Sequence, residues 1–188
     1  MLRLFFALQP TPGQSAALLS QISQLGAAVH AQPVPASNVH ATVCFIGAVA
    51  PARLDALRAA AAEVRAPAIR LRFDTLEYWA RPRVLCATAP GPCDAAQEFS
   101  RALADCAEAA GFAPDRSHPF RPHLTLARKV RAASARALPW PIPLAPAVEL
   151  RCERFALMES RRGDAGSIYS ALETWALDGD EPLPKPSE

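Results

Sequence analysis

No apolar run in this 188-residue chain approaches the roughly 20 residues needed to cross a bilayer as a helix. The apolar stretch Leu2–Leu8 is short and meets Pro10 at once, so it reads as a first strand rather than a signal segment. Glycine is scarce, with 8 residues in all, and neither a P-loop nor a G-x-G-x-x-G occurs. The usual backbone cradles for nucleotide cofactors are therefore missing, and no cofactor is expected. There is no G-x-S-x-G elbow, and no serine or cysteine stands in a recognisable activated setting. The five cysteines, at 44, 86, 93, 106 and 152, include no C-x-x-C pair. They read as mostly buried thiols of a cytoplasmic protein. A strong charge of either sign is also absent: 20 Lys and Arg against 18 Asp and Glu leave a net +2. Any nucleic-acid partner would have to be met by a local patch.

What is present is a tetrapeptide that occurs twice, His40-Ala41-Thr42-Val43 and His123-Leu124-Thr125-Leu126. Each copy lies in a short apolar run of strand character. Residues i and i+2 of a strand share a face, so each copy offers an imidazole and a hydroxyl side by side. The copies stand 83 positions apart, close to half the chain. One half-site from each half of the chain, meeting in a shared cleft, would give acid–base chemistry suited to a phosphate.

The periodicities predict the order β-α-β-α-β-β, then α-β-β-β. Leu2–Gln9 is a strand; Thr11 caps a helix that starts at Pro12 and carries Leu18, Ile22, Leu25 and Val29 on one stripe. The first motif strand, 38–46, closes at Gly47, and a helix covers 51–65. Ile69, Leu71 and Phe73 alternate with polar residues, and Val84–Thr88 pairs back after a turn at Arg81-Pro82. A helix spans Pro92–Gly111, and the second motif strand spans His123–Lys129. Pro139–Pro146 is an extended edge or crossing segment. Val148–Leu157 is a strand whose apolar phase changes between Cys152 and Phe155, which suggests a bulge. Ile168–Leu177 is the last strand. The fold class expected is α+β, with two pseudo-symmetric lobes, each an antiparallel sheet with helices packed outside, flanking a central groove. Residues 1–179 are expected to form one bilobal domain, and 180–188 a flexible tail.

Zinc is the natural rival for the histidines, but it needs three or four converging ligands at tight spacing, and that spacing is absent here. His30 and His118 read as solvated side chains, so no metal site is expected. The chain resembles the bacterial and archaeal RNA 2′,3′-cyclic phosphodiesterases, historically called 2′-5′ RNA ligases, of the two-histidine phosphoesterase superfamily. The resemblance runs from Leu2 to about Leu177. It rests on Arg3-Leu4-Phe5-Phe6-Ala7-Leu8, Asn38–Gly47, Arg83-Val84-Leu85 after an aromatic pair, Phe120–Arg128, Leu157–Ser160 and the Tyr169–Trp175 strand. Ala41, where family members usually carry a larger apolar residue, faces away from the site and implies a packing difference only.

The resemblance implies that His123 activates water and His40 protonates the leaving 3′ oxygen of a cyclic phosphate. Sequence symmetry alone leaves those two roles interchangeable. It further implies that Thr42 and Thr125 bind the non-bridging oxygens, that Phe45 stacks on the terminal base and that Arg128 contacts the phosphate. Phe45 and Arg128 each lie five residues after a histidine, at the opposite strand parity. A twist, bulge or strand end must turn them back to the cleft. Arg121, Lys129 and Arg131 are candidates for further RNA contact. The expected function is metal-independent opening of RNA 2′,3′-cyclic phosphate ends to a 2′-phosphate, with 2′-5′ ligation as the reverse. Alternatives are a phosphodiesterase of 2′-5′ oligonucleotides or small nucleotide cyclic phosphates, and a non-catalytic RNA-end-binding module. The expected partners are RNA ends or small nucleotides. No membrane and no obligate protein partner is expected, and the protein is expected to act as a monomer.

Overall fold

The computed structural model describes residues 1–91, 93–163 and 166–177. The tail expected at 180–188, and Pro92 at the expected helix start, lie outside these residues. The chain begins with β1 (Leu2–Leu8), α1 (Pro12–Gln21), α2 (Ser23–Ala28), β2 (Gln32–Pro33) and β3 (Ala41–Val49). It continues through α3 (Leu54–Ala62), β4 (Ile69–Trp79), β5 (Val84–Thr88) and α4 (Asp94–Ala109). Last come β6 (His123–Arg128), α5 (Ala132–Arg136), β7 (Ile142–Cys152), β8 (Arg154–Gly163) and β9 (Gly166–Ala176). Two sheets result, in the orders β3-β1-β8-β9 and β2-β6-β5-β4-β7, and every pairing is antiparallel.

The first motif strand lies at the edge of the four-stranded sheet and the second lies within the five-stranded sheet, so each sheet supplies one half-site. The sheets do not coincide with the halves of the chain. β8 returns from the far end to pair with β1 and carries β9 with it, and β2 pairs across to β6. The phase change between Cys152 and Phe155 is not a bulge. It marks the point where the chain leaves one sheet for the other: Cys152 pairs with Ile69 and Phe155 with Leu8. Glu153 lies between the two strands. The proline-rich segment enters β7, an edge strand, where missing N–H groups cost no ladder bond.

Thr11 caps α1 as expected and forms a capping box with Gln14, Thr11 N donating to Gln14 Oε1 at 2.9 Å and Gln14 N to Thr11 Oγ1 at 3.3 Å. The helix then breaks at Ile22, whose φ of −92° and ψ of 0° lie outside helical values. Flanking serines and a β-branched residue weaken the helix there, and the break still buries Leu18, Ile22 and Val29 completely. α3 follows a 3₁₀ turn at Pro51–Arg53 and ends at Ala62, short of Arg65, because Pro67 disfavours helix upstream. α4 is amphipathic and buries Phe99 and Leu103, and Phe99 meets Phe155 edge-on at 5.1 Å. Phe155 stacks on Trp175 at 5.1 Å, so α4 and the four-stranded sheet share one aromatic core. That core runs from Leu4 to Leu177 and draws on both sheets. A second, smaller cluster on the opposite face of β1 and β8 contains Phe5, Ala7, Ala156 and Met158, with Phe45 and Tyr169 packed against it. This second face is the floor of the candidate site.

Candidate active site

Two register slips turn the site residues inward. On β1, Phe6 pairs with Cys44 but Ala7 pairs with Thr42, so Val43 is an extra residue in β3. Phe5 pairs with Phe45 and Ala7 with Thr42, which places Thr42 and Phe45 on one face despite their opposite parity. The second motif repeats the device. Leu85 pairs with Ala127 but Cys86 with Thr125, leaving Leu126 extra in β6, and Arg128 returns to the side of Thr125. The bulged residue is the fourth of the motif in both strands. Val43 and Leu126 are buried, as is Ala41. A second slip in β3 skips Ile46, beside Gly47 at φ +86°. Only glycine takes that conformation without strain, so Gly47 continues the strand instead of closing it.

Both imidazoles are fixed in the same way. His40 Nδ1 lies 2.7 Å from the Asn38 carbonyl and His123 Nδ1 lies 2.9 Å from the Arg121 carbonyl. A carbonyl only accepts, so each Nδ1 carries a proton and each Nε2 is left for chemistry. His40 Nε2 accepts from Thr42 Oγ1 at 3.1 Å. Thr125 Oγ1 lies 3.9 Å from Cys86 Sγ. Each anchoring residue is itself tied to another strand: Asn38 Nδ2 donates to Ser167 O at 2.9 Å, and the Arg121 guanidinium pairs with Glu77. Arg121, one of the candidates for further RNA contact, is thus paired with a carboxylate of β4. Each ring also has an aromatic neighbour. Tyr169 packs edge-on against His40 at 4.8 Å, Phe5 lies 5.0 Å from the same ring, and Trp79 lies 4.7 Å from His123.

Burial pushes the pKa of His40 down to about 4, the Asn38 hydrogen bond works against this, and charge on His123 and Arg128 lowers it further. The His123 pKa is lowered chiefly by burial, against its bond to Arg121 O; the Arg121 and Glu77 charges act in opposite directions. Both rings are therefore neutral in the unliganded protein near pH 7. The thiols of Cys44, Cys86 and Cys152 are pushed up by burial to about 12, which removes them as nucleophiles.

Arg128 Nη2 donates to the Tyr169 hydroxyl at 3.2 Å, joining β6 to β9 across the cleft. Arg3 lies over the Phe45 ring at 4.8 Å, so one face of that ring is covered. Thr42, Phe45, Trp79, Arg121 and His123 line one cavity of about 580 Å³, together with Asp115, Ser117 and Phe120 of the loop before β6. Asp115 N donates to Phe45 O at 2.8 Å and ties that loop to β3. His30 and His118 are exposed. Among the described residues no three His, Cys, Asp or Glu side chains converge as a metal-ligand set. Of the residues named from the sequence, Thr42, Phe45 and His123 line that cavity. His40 adjoins it through Thr42 and feels the charge of His123 and Arg128. Arg128 reaches the Tyr169 that packs on His40, and Thr125 follows His123 on β6 beside Cys86. The structure adds Tyr169, Trp79 and Asn38, which were not read as site residues from the sequence.

Two sheets that each deliver a His-x-Thr strand to one groove define a paired-imidazole cleft. The comparisons with known proteins agree with that architecture. A sequence model of the 2′-5′ RNA ligase superfamily matches residues 11–164, and the chain belongs to that superfamily. It is 32% identical over 147 residues to the RNA 2′,3′-cyclic phosphodiesterase of Escherichia coli strain K12, covering 78% of this chain and 80% of the relative. It is 31% identical over 194 residues to the protein of the same name from Thermus thermophilus, covering 95% and 92%. Escherichia coli LigT complexed with 3′-AMP superposes with a TM-score of 0.80 at 27% identity, over 94% of this chain and 98% of that one. Thermus thermophilus TT0787 gives 0.77 at 28%, over 95% and 100%.

Proposed function

We propose that the protein hydrolyses RNA 2′,3′-cyclic phosphate ends to 2′-phosphates by paired-histidine acid–base catalysis. The observation that carries this reading is the matched fixing of two imidazoles by backbone carbonyls at Nδ1, which reserves both Nε2 atoms for the cleft. His123 Nε2 takes a proton from water as the water oxygen bonds to phosphorus. The bond from phosphorus to O3′ breaks, and Nε2–H of a protonated His40 delivers its proton to O3′. The assignment suits the surroundings. His40, held at about 4 in the unliganded protein, becomes charged when an anionic phosphate raises that value, as an acid must, while His123 begins neutral as a base must. Thr42, Thr125 and Arg128 hold the non-bridging oxygens, where charge builds, and Phe45 stacks on the terminal base with its free face. In the ligation direction, an RNA 5′-hydroxyl takes the place of water.

The cleft needs no metal in this scheme. The reading is of a monomeric cytoplasmic enzyme, and the five free cysteines suit a reducing compartment. Among the described residues no helix is long and apolar enough to cross a membrane. The test is the identity of the product from a short RNA with a 2′,3′-cyclic phosphate, resolved against 2′- and 3′-phosphate markers. A 2′-phosphate is expected, and a 3′-phosphate would overturn the assignment of the leaving oxygen. The cavity of about 580 Å³ suits a single nucleotide. Comparison of a mononucleotide cyclic phosphate with an oligomer will show whether recognition ends at the terminal nucleotide.

A further inference from the structure

Glu77 is the meeting point of everything that orients His123. Its Oε2 accepts from Trp79 Nε1 at 2.8 Å, and its Oε1 accepts from Thr88 Oγ1 at 3.1 Å and from the Arg121 guanidinium. Each donor in turn touches His123. The Trp79 indole lies against its ring at 4.7 Å and 48°. The Arg121 carbonyl holds Nδ1. Thr88 is the residue paired with His123 in the β5–β6 ladder. Arg121 also lies over Trp79, 5.8 Å from the ring centroid.

An exposed ion pair adds little stability, and the Arg121 side chain is 56% exposed. A surface pair would not need Thr88, which is 1% exposed, or an indole N–H on the second oxygen. Three donors on one carboxylate fix its position from three directions. The first half-site has the same plan with a neutral anchor. Asn38 is tied to Ser167 on β9, and Tyr169, two residues along that strand, packs on His40. Glu77 and Trp79 stand in the same relation on β4. Burial alone would raise the Glu77 pKa, but the bonds from Trp79, Arg121 and Thr88 hold it below the ordinary range, so it stays ionised.

We propose that Glu77 is a positioning residue for His123, holding the imidazole with Nδ1 on the Arg121 carbonyl and Nε2 toward the cleft. The proposal rests on the two-histidine reading above. It also makes a statement about the ring that does not depend on turnover.

The experiment combines steady-state kinetics on a cyclic-phosphate RNA with ¹⁵N NMR of the neutral histidines, for wild type and Glu77→Ala. Loss of orientation should lower kcat by between about 10-fold and about 10²-fold, with KM changed by less than about threefold. The neutral His123 signal should move from the Nδ1–H tautomer toward a mixture. In a His123→Ala background, Glu77→Ala should cause no further loss, because it acts through that ring. Trp79→Phe keeps an aromatic ring but removes the indole N–H, and Arg121→Met keeps the carbonyl and removes the guanidinium. Each should reproduce part of the tautomer shift, and they decide the matter if Glu77→Ala does not fold. An unshifted His123 tautomer in these variants overturns the proposal, as does an equal loss of activity in the His123→Ala background. Absence of turnover in wild type would sink the functional reading, while the tautomer measurement would still judge the role of Glu77.

Discussion

Phosphate binding should charge His40, and the structure sets the size of the effect. Its pKa falls from an ordinary 6.5 to about 4, with burial the leading cause. A drop of roughly 2.5 units corresponds to roughly 3 kcal/mol against the imidazolium. A bound phosphodiester carries one negative charge. At about 4 Å and an effective dielectric near 20 it returns about 4 kcal/mol, enough to bring the pKa back to about neutrality. In the proposed scheme the acid is thus loaded by its own substrate, and the unliganded protein carries little charge at this position. Histidine ¹³C and ¹⁵N NMR titration, with the His40 signal assigned by its loss in His40→Ala, reads both states. The free protein should titrate near 4 at this residue, and a 2′-phosphorylated mononucleotide should shift the midpoint up by about two to three units. A free-state midpoint near 6.5, or no upward movement with the anion bound, would refute the reasoning.

Three further outcomes are expected. Because both histidines have depressed folded-state values, the unfolded chain binds more protons below its own pKa of about 6.5. Stability should therefore be intact above that pH and fall as pH drops toward 4, by on the order of 3 kcal/mol from His40; urea midpoints at pH 7 and 4.5 will show a smaller loss in His40→Ala. Thr42→Val removes the hydroxyl on His40 Nε2 and should lower kcat by about 10²-fold, as loss of an oxyanion donor does, while Thr42→Ser keeps most of the rate. Tyr169→Phe keeps the ring against His40 but removes the hydroxyl that Arg128 uses; KM should rise by about fivefold, the worth of one hydrogen bond, with little change in kcat.

Local parity carried much of the site. In both motif strands Phe45 and Arg128 stand at the wrong parity for their histidines, and in both the register slips by one residue, at Val43 and Leu126. The same parity argument misread 148–157, because a change of phase looks alike whether a strand bulges or crosses to another sheet. β2 is two residues long and α5 five, too short for any period to show. Sheet membership was hidden because it is set by distant pairing: β8 joins β1 from the opposite end of the chain and brings β9 with it. The aromatic partners of the histidines come from such distant strands, which is why Trp79 and Tyr169 were not read as site residues; Asn38, only two residues from His40, acts through a backbone carbonyl that any residue would carry. One signal was available. Glu77 and Trp79 alternate on β4 and so share a face, and a carboxylate beside an indole on a strand that faces a histidine is a candidate anchor.

The central claim is that two fixed imidazoles open a cyclic phosphate without a metal. Turnover of a short RNA ending in a 2′,3′-cyclic phosphate, with EDTA present, tests it most directly when wild type is set beside His40→Ala and His123→Ala. The account predicts full activity for wild type and a loss of about 10²- to 10⁴-fold in each variant. Turnover that survives either substitution, or that chelation abolishes, would contradict it.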